Sequence, residues 1–156
     1  MILEHNKKLI DNYNQIVGEK DLCFILGDFS LGNARETEAA LHEMQGDKIL
    51  LVGNHDSFLK DKTFDRSLFL DIKDYLEVNI DGQGVVLSHY PILHFKKQDY
   101  DKGNIHLYGH IHTAKIHKPY HSYHVGVDVN QFKPISIQYA IEQAKIEVTN
   151  KTRYHD

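Results

Sequence analysis

Polar residues that can bind a metal ion follow four short apolar segments of the chain, each near the point where the segment ends. Three of the four groups come directly after a glycine, which lets the backbone turn sharply and bring a ligand close. Because sites in α/β folds are assembled at the carboxyl ends of the strands, we expect the groups to converge at one edge. The residues are Asp28 after the first segment, Asn54, His55 and Asp56 after the second, His89 after the third, and His110 and His112 after the fourth.

These side chains predict a metal centre of a particular kind. Carboxylate oxygen, amide oxygen and imidazole nitrogen suit divalent ions such as Mn, Fe, Zn, Ni or Co. No cysteine is among them, which excludes a structural cysteine-rich zinc site. The sequence therefore predicts a divalent metal cofactor whose identity the ligand types leave open.

Each group taken alone also has an ordinary structural explanation. A Gly-Asp pair such as the one ending at Asp28 is a common turn, and Asn and Asp favour turns in general. A single histidine such as His89 can be a hydrogen-bonded core residue. The pair His110 and His112 is more specific, because alternate residues of a strand point to the same side. All four groups following successive apolar segments favour the metal centre.

The apolar pattern predicts the elements that carry these groups. Short apolar runs indicate buried strands, and three- to four-residue spacing indicates helices. Strands and helices that alternate, followed by a hairpin, predict an α/β fold with a mixed sheet. The predicted helices are Leu9–Val17, which stops at Gly18, Glu36–Met44, and the amphipathic tail Ser136–Val148, whose predicted buried positions are Ile137, Ala140, Ile141, Ala144 and Ile146. The predicted strands are Leu22–Leu26, Ile49–Val52, Ile72–Ile80 and Val85–Leu87 around a turn at 81–84, Ile105–Tyr108, and Tyr123–Val127. A polar loop is predicted over Pro91–Asn104.

Composition limits the function classes. The 156 residues carry a formal net charge of −4 and are predicted to form one domain spanning 1–156. The acidic balance argues against a protein dedicated to nucleic-acid binding, which usually presents a concentrated basic surface. Cys23 is the single cysteine and cannot form a disulfide within the chain, so the expected location is cytoplasmic. The apolar runs are too short to cross a membrane, and no signal peptide is recognisable.

Twelve residues of the chain are histidine, and those outside the four groups are given structural interpretations. We expect His42 on the surface of a helix. His94 and His106 flank the polar loop, where substrate contact is possible but surface placement is favoured. The expected position of His117, His121 and His124 is the surface of a loop or strand, with an approach of one of them to the edge of the site as the alternative.

In this order, the four groups resemble the motifs of the calcineurin-like metallophosphoesterases. That family has five ordered blocks: Asp-x-His, Gly-Asp, Gly-Asn-His-Asp/Glu, His and Gly-His-x-His. The stretch from Val125 to Asn130, with Pro134 after it, is similar to the small single-domain bacterial and phage members. The resemblance covers nearly the whole chain and implies an αββα sandwich with mixed sheets. The last four blocks match at Gly27-Asp28, Gly53-Asn54-His55-Asp56, Ser88-His89-Tyr90-Pro91 and Gly109-His110-Ile111-His112.

The resemblance also implies a role for each residue. Asp28 would bridge two metal ions, and Asn54, His89 and His110 would complete one site with it, while His112 would belong to the other. His55 would contact the phosphate and help the leaving group depart, with Asp56 orienting His55.

One block of the family is missing, because no Asp-x-His motif precedes Asp28. The chain is therefore expected to be N-terminally truncated relative to the family and to lack the strand that ends in that motif. Three explanations for the missing motif remain open: a misplaced translation start, a truncated product, and a strand supplied by another chain. We expect one tightly bound metal ion and a second position that is weak or empty.

The function expected from the resemblance is hydrolysis of a phosphomonoester or phosphodiester, nucleotides included, by metal-activated hydroxide. Activity is expected to be low, because the first metal motif is missing, unless another residue fills in. The alternative is a weakly active or inactive scaffold that keeps the fold and binds another protein. A nuclease is a third interpretation, against which the acidic composition counts.

Overall fold

Two separate sheets form the framework of the computed structural model, which describes residues 2–98, 102–113 and 121–149. The fold is a mixed α/β arrangement, as the sequence predicts. In chain order, the elements are α1 (Ile2–Asn14), β1 (Leu22–Ile25), α2 (Ala34–Glu43), β2 (Asp47–Leu51), two 3₁₀ helices (Ser57–Lys60 and Arg66–Leu68), β3 (Asp71–Lys73), β4 (Tyr75–Ile80), β5 (Gln83–Ser88), β6 (Ile105–Tyr108), β7 (Ser122–His124) and α3 (Ile137–Thr149).

Sheet 1 has the order β1-β2-β3 and is parallel throughout. Sheet 2 has the order β4-β5-β6-β7, with β4 and β5 antiparallel and the remaining pairs parallel. The carboxyl ends of β1 and β2 are therefore neighbours in sheet 1, and those of β5 and β6 are neighbours in sheet 2. These are the four strands that precede the candidate metal ligands.

The two faces of sheet 1 pack against different partners. Leu50 and Leu51 follow one another in β2 and point to opposite faces, as successive strand residues do, and both are fully buried. Leu51 belongs to a hydrophobic cluster that joins sheet 1, sheet 2 and α3. Leu50 belongs to a second cluster with α2 and aromatic residues of the segment 58–69. The first cluster connects the two sheets and so fixes how their strand ends meet.

Helix α2 has well-defined ends. At its start Asn33 forms a capping box with Glu36, in which each side chain accepts a hydrogen bond from the other residue's backbone N–H. Beyond its last turn, the buried ammonium of Lys48 donates to the carbonyls of Met44 and Gly46 at 2.8 and 2.7 Å. The helix begins two residues before the predicted Glu36, because Asn33 supplies the N-terminal cap. It ends at Glu43, one residue before the predicted Met44.

Three predicted elements have different bounds. The strand predicted over Ile72–Ile80 is two strands, since a bend at Asp74 separates β3 of sheet 1 from β4 of sheet 2. The predicted hairpin is present with a shorter loop: Asp81 and Gly82 both have positive φ, as a two-residue type I′ turn requires. The strand predicted over Tyr123–Val127 ends at His124, because a turn beginning at Gly126 follows it.

The helices at the two ends are shifted or packed differently from the prediction. α1 covers Ile2–Asn14 and so begins and ends earlier than the pattern Leu9–Val17 indicates. α3 occupies the predicted tail and buries Ala140, Ile141 and Ala144, but Ile146 is 52% exposed, so its predicted burial is wrong.

The predicted polar loop contains no helix or strand in its described residues 91–98 and 102–104. No helix in the described ranges combines the length and apolar character needed to span a bilayer.

Candidate metal centre

The predicted ligands lie in loops directly after the four strands. Asp28 follows β1, Asn54 follows β2, His89 follows β5 and His110 follows β6. The two sheets meet at this point, because the Nδ1 of His89 lies 2.7 Å from the carbonyl oxygen of Leu26 at the end of β1. The prediction that the four groups converge at the carboxyl ends of the strands is therefore correct for these residues.

The ligand atoms of the group are close enough to share one ion. Those of Asp28, His89 and His110 all lie within 4.8 Å of one another. The amide oxygen of Asn54 lies 3.0 Å from both the Nε2 of His89 and the Nδ1 of His110. His89 is buried, whereas Asn54 and His110 are exposed, so the centre opens to solvent on one side. His112 does not belong to the group of three identified among the described residues.

The hydrogen bonds of His89 determine which of its nitrogens faces the centre. A carbonyl oxygen can only accept, so Nδ1 carries the proton donated to Leu26, and Nε2 keeps its lone pair. That lone pair faces Asn54 Oδ1, His110 Nδ1 at 3.1 Å and Asp28 Oδ2 at 3.4 Å. His110 Nδ1 can supply at most one proton to the three other acceptors. A divalent cation would satisfy all four, and one carboxylate, one amide oxygen and two imidazoles suit such an ion.

Two glycines allow the loops to approach this closely. A Cβ on Gly27, which has a φ of 80°, would overlap His89 Nδ1 and lie 2.7 Å from the backbone of Gly53. A Cβ on Gly53 would overlap both the backbone nitrogen and the Oδ1 of Asp28. The glycines before Asp28 and Asn54 are therefore required by the close packing of the two loops.

Three of the predicted ligands have a backbone conformation that non-glycine residues seldom adopt. The φ angles of Asp28, His110 and His112 are 53°, 65° and 48°. Residues in this region cost on the order of 1 kcal/mol each, and they cluster at functional sites because the surrounding structure has to hold them there. The strain thus marks the same loops that the sequence motifs identify.

Asp56 does not contact the side chain of His55 through any hydrogen bond or ion pair in the part of the chain that the structure describes. Its buried carboxylate instead accepts three backbone N–H donors: Asp28 at 3.0 Å, Gly53 at 2.8 Å and Phe29 at 2.7 Å. Burial raises the pKa of Asp56 from its ordinary value, and the three N–H donors oppose that rise by stabilising the anion. Asp56 therefore joins the loop after β1 to the loop after β2, and its expected role in orienting His55 stays a prediction.

His55 lies at the open side of the centre with an exposed side chain. Its backbone N–H donates to Asp28 Oδ1 at 2.8 Å, which leaves Asp28 Oδ2 as the oxygen nearest His89. The ring is thus free to meet a ligand from solvent while its backbone is fixed to a metal-ligand candidate.

His112 is paired with a residue that was not among the predicted site residues. Its Nδ1 lies 2.7 Å from Oδ2 of Asp128, and its side chain is 70% exposed. The signal for Asp128 was present in the stretch Val125–Asn130, which resembles the small bacterial and phage family members. No role followed from that stretch because a lone aspartate in a turn needs none.

Tyr90 is a second residue that sequence reasoning passed over. Its ring centroid lies 4.8 Å from that of His89 and 4.7 Å from that of His110, in edge-on contact with both. The tyrosine is 46% exposed and so forms part of the surface beside the ligands. Its position directly after His89 was the available signal.

The remaining histidines divide between surface and core. His42 and His94 are exposed, as predicted. The surface placement expected for His106 and His124 is wrong, because both are buried in sheet 2. His106 donates from Nδ1 to the Val86 carbonyl at 3.0 Å and accepts from the Ile92 N–H at 3.0 Å, so both ring nitrogens are satisfied internally. His117 lies outside the described residues.

The chain matches no established protein-family model. Its fold is similar to the crystal structure of the protein of unknown function AQ665 from Aquifex aeolicus, with a TM-score of 0.66, 23% identity, and coverage of 88% of this chain and 84% of that one. An uncharacterized protein of Methanocaldococcus jannaschii, MJ1445, is 27% identical over 147 residues, covering 89% of this chain and 74% of that protein.

Two mycobacteriophage proteins are also similar. The Gene 66 protein of Mycobacterium phage L5 is 28% identical over 153 residues, covering 80% of this chain and 74% of that protein. The Gene 66 protein of Mycobacterium phage D29 is 32% identical over 151 residues, covering 80% of this chain and 76% of that protein. At that identity and coverage, the chain belongs to the same family as the Gene 66 protein of Mycobacterium phage D29.

Proposed function

We propose that the protein is a metal-dependent phosphoesterase of the calcineurin-like type, with its two sheets forming the αββα sandwich of those enzymes. The observation that carries the proposal is the convergence of Asp28, Asn54, His89 and His110, each from the loop after a different strand. Four acceptor groups facing one another without enough protons to satisfy them make a site suited to a cation. Exposed Asn54, His55 and His110 leave that cation accessible to a substrate.

The residues have distinct tasks in this proposal. Asp28, Asn54, His89 and His110 hold one divalent ion, which would supply Lewis-acid charge and an activated water for attack on phosphorus. His55 stands beside them and donates a proton to the leaving oxygen when its ring is protonated. Asp56 keeps the Asp28 and Asn54 loops in register through its three backbone hydrogen bonds. His112 serves a second, weaker ion position.

The substrate class follows from the same groups. A phosphomonoester or phosphodiester offers oxygens to the cation and a leaving oxygen to His55. The exposed ring of Tyr90 beside the ligands offers a surface for an aromatic leaving group, so nucleotides are suitable substrates.

A chromogenic assay tests the proposal. The metal-depleted full chain is reloaded with Mn²⁺ and given p-nitrophenyl phosphate and bis-p-nitrophenyl phosphate in parallel. We expect hydrolysis that depends on Mn²⁺. Because p-nitrophenolate leaves without taking a proton, His55→Ala is compared with wild type on a phosphate ester of a simple alcohol, where removing a general acid should lower kcat at least about 100-fold. His42→Ala, a matched change of an exposed histidine on α2, should hydrolyse at the wild-type rate.

Two outcomes would contradict the enzyme proposal. Equal rates for wild type and His55→Ala on the ester of a simple alcohol would mean that His55 does not protonate the leaving oxygen. Mn²⁺ binding that Asn54→Ala abolishes, with no hydrolysis of either substrate, would favour the scaffold alternative. The side chain of Asn54 is exposed, so Asn54→Ala should fold normally and lose only the contact with Mn²⁺.

A further inference from the structure

The short contact between His112 and Asp128 has no role in the proposed function. The Nδ1 of His112 lies 2.7 Å from Oδ2 of Asp128, although the two residues belong to different loops. The side chain of Asp128 is 28% exposed, whereas that of His112 is 70% exposed. The carboxylate is therefore the better-fixed partner of the two, and the imidazole is the one that it can orient.

The chemistry of the pair determines the tautomer of His112. A carboxylate only accepts hydrogen bonds, so the proton of a neutral imidazole at this distance belongs on Nδ1. The lone pair is then on Nε2, at the opposite side of the ring. A carboxylate that receives the N–H of a metal-binding histidine also makes the other nitrogen more basic and fixes the orientation of the ring.

The turn after β7 holds Asp128 in place. The side-chain amide of Asn130 donates to the carbonyl of Gly126 at 2.7 Å, and the backbone of the turn closes through Val129 N–H to the same carbonyl at 3.3 Å. A Cβ on Gly126 would lie 2.6 Å from Asp128 Oδ1 and 2.7 Å from His124 Nε2. The carboxylate therefore packs directly over Gly126, where a larger residue would displace it.

We infer that Asp128 is a positioning residue that fixes His112 with its proton on Nδ1 and its lone pair on Nε2, ready for a divalent cation. The inference rests on the proposed function for the cation that His112 serves. A histidine held in the binding tautomer binds a cation more tightly than one that is free to rotate and exchange its proton.

The tautomer can be measured in the metal-free full chain, independently of any activity. Long-range ¹H–¹⁵N NMR distinguishes Nδ1–H from Nε2–H rings, and the spectrum of His112→Gln assigns the signals. At mildly alkaline pH, where imidazoles are generally neutral, we expect the wild-type ring to be mostly Nδ1–H. Asp128→Ala should become mostly Nε2–H, and Asp128→Asn, whose amide oxygen can still accept, should lie between them.

Two controls separate the carboxylate from the turn. Asp81→Asn makes the same chemical change in the exposed hairpin turn and should leave His112 as in wild type. Asn130→Ala weakens the turn without removing the carboxylate. If Asn130→Ala changes the His112 tautomer as much as Asp128→Ala, or if Asp128→Ala changes nothing, the inference is wrong.

Metal dependence provides the second readout. The Mn²⁺ concentration that gives half-maximal hydrolysis should rise about 10- to 100-fold in Asp128→Ala, the usual effect of losing such a partner, and should not change in Asp81→Asn. An unchanged Mn²⁺ requirement in Asp128→Ala would overturn the inference even if the tautomer shifted. Absence of hydrolysis in every variant would instead contradict the proposed function, and the NMR result would then decide the inference alone.

Discussion

Replacing Asp56 tests whether this residue joins the two ligand loops or orients His55. Its buried carboxylate accepts N–H donors from Asp28, Phe29 and Gly53, all between 2.7 and 3.0 Å. Hydrogen bonds to a charged group contribute about 1.5–3 kcal/mol, and an unsatisfied buried N–H costs about 1–3 kcal/mol. Water can reach part of the space that alanine leaves, because the donor residues are only half-buried. The expected loss of unfolding free energy for Asp56→Ala is therefore about 3–5 kcal/mol.

That loss is large for a domain whose total stability is of the order of 5–15 kcal/mol. For a chain of this length it corresponds to a drop in Tm of roughly 10 °C, at about 2–4 °C per kcal/mol. Asp56→Asn keeps one acceptor oxygen but turns an amide N–H₂ toward a backbone donor, so we expect an intermediate loss of about 2 kcal/mol. Both variants are measured by urea unfolding of the metal-free protein, with His55→Ala as the reference.

The two possible roles of Asp56 give opposite patterns. If it joins the loops, Asp56→Ala loses stability and Mn²⁺ affinity together, while His55→Ala changes stability by less than about 0.5 kcal/mol, as exposed substitutions usually do. If it only orients His55, Asp56→Ala loses turnover and keeps its stability. An unfolding free energy for Asp56→Ala within about 1 kcal/mol of wild type would refute the reasoning from the three hydrogen bonds.

Three further predictions concern packing, pH and helix capping. Gly53→Ala should lower Mn²⁺ affinity in calorimetric titration at least about tenfold, because the new methyl displaces Asp28, while Gly18→Ala, which meets only ordinary contacts, should not. Burial lowers the pKa of His106, so the stability that its neutral ring contributes is complete above the unfolded-state pKa of about 6.5. That stability is lost as pH falls below about 6.5, by up to about 1.4 kcal/mol per pH unit. In urea unfolding between about pH 7 and pH 5, the unfolding free energy of His106→Gln should therefore fall less steeply with pH than that of wild type. Lys48→Met should lower the unfolding free energy by about 1–2 kcal/mol, since two carbonyls after α2 lose their donor; an unchanged Tm would contradict this.

The sequence predicted which loops converge at the candidate centre, because strand ends and glycines are local signals. A buried strand ending in Gly-Asp or Gly-Asn directs its polar residue to the carboxyl edge whatever the rest of the fold does. The convergence of Asp28, Asn54, His89 and His110 could therefore be inferred from their positions after successive apolar segments of the chain. The bend at Asp74 could not, since an apolar run that continues from one sheet into the next has the same pattern as one long strand.

Contacts that cross between loops were beyond sequence reasoning. Asp56 was assigned to its neighbour His55, but its hydrogen bonds run to Asp28 and Phe29, which are 28 and 27 residues away. No local pattern pairs Asp128 with His112, because the two residues lie 16 positions apart in the chain. His106 looked like a surface residue beside a polar loop, although that loop supplies the N–H that satisfies it in the core.

Acceptor atoms held as close as those of the candidate centre repel one another, so the surrounding structure has to hold their loops together. Asp28 Oδ2, Asn54 Oδ1 and His89 Nε2 are acceptors held near one another, and His110 can donate to only one of them. Two of these residues also have positive φ. The restraints lie outside the ligand set: Asp56 joins the loops, and the Leu26 carbonyl fixes the ring of His89. A bound cation would remove the repulsion and leave these restraining contacts in place. Its binding would stabilise the folded state alone, by about 2.7 kcal/mol when the free cation concentration is a hundred times its Kd.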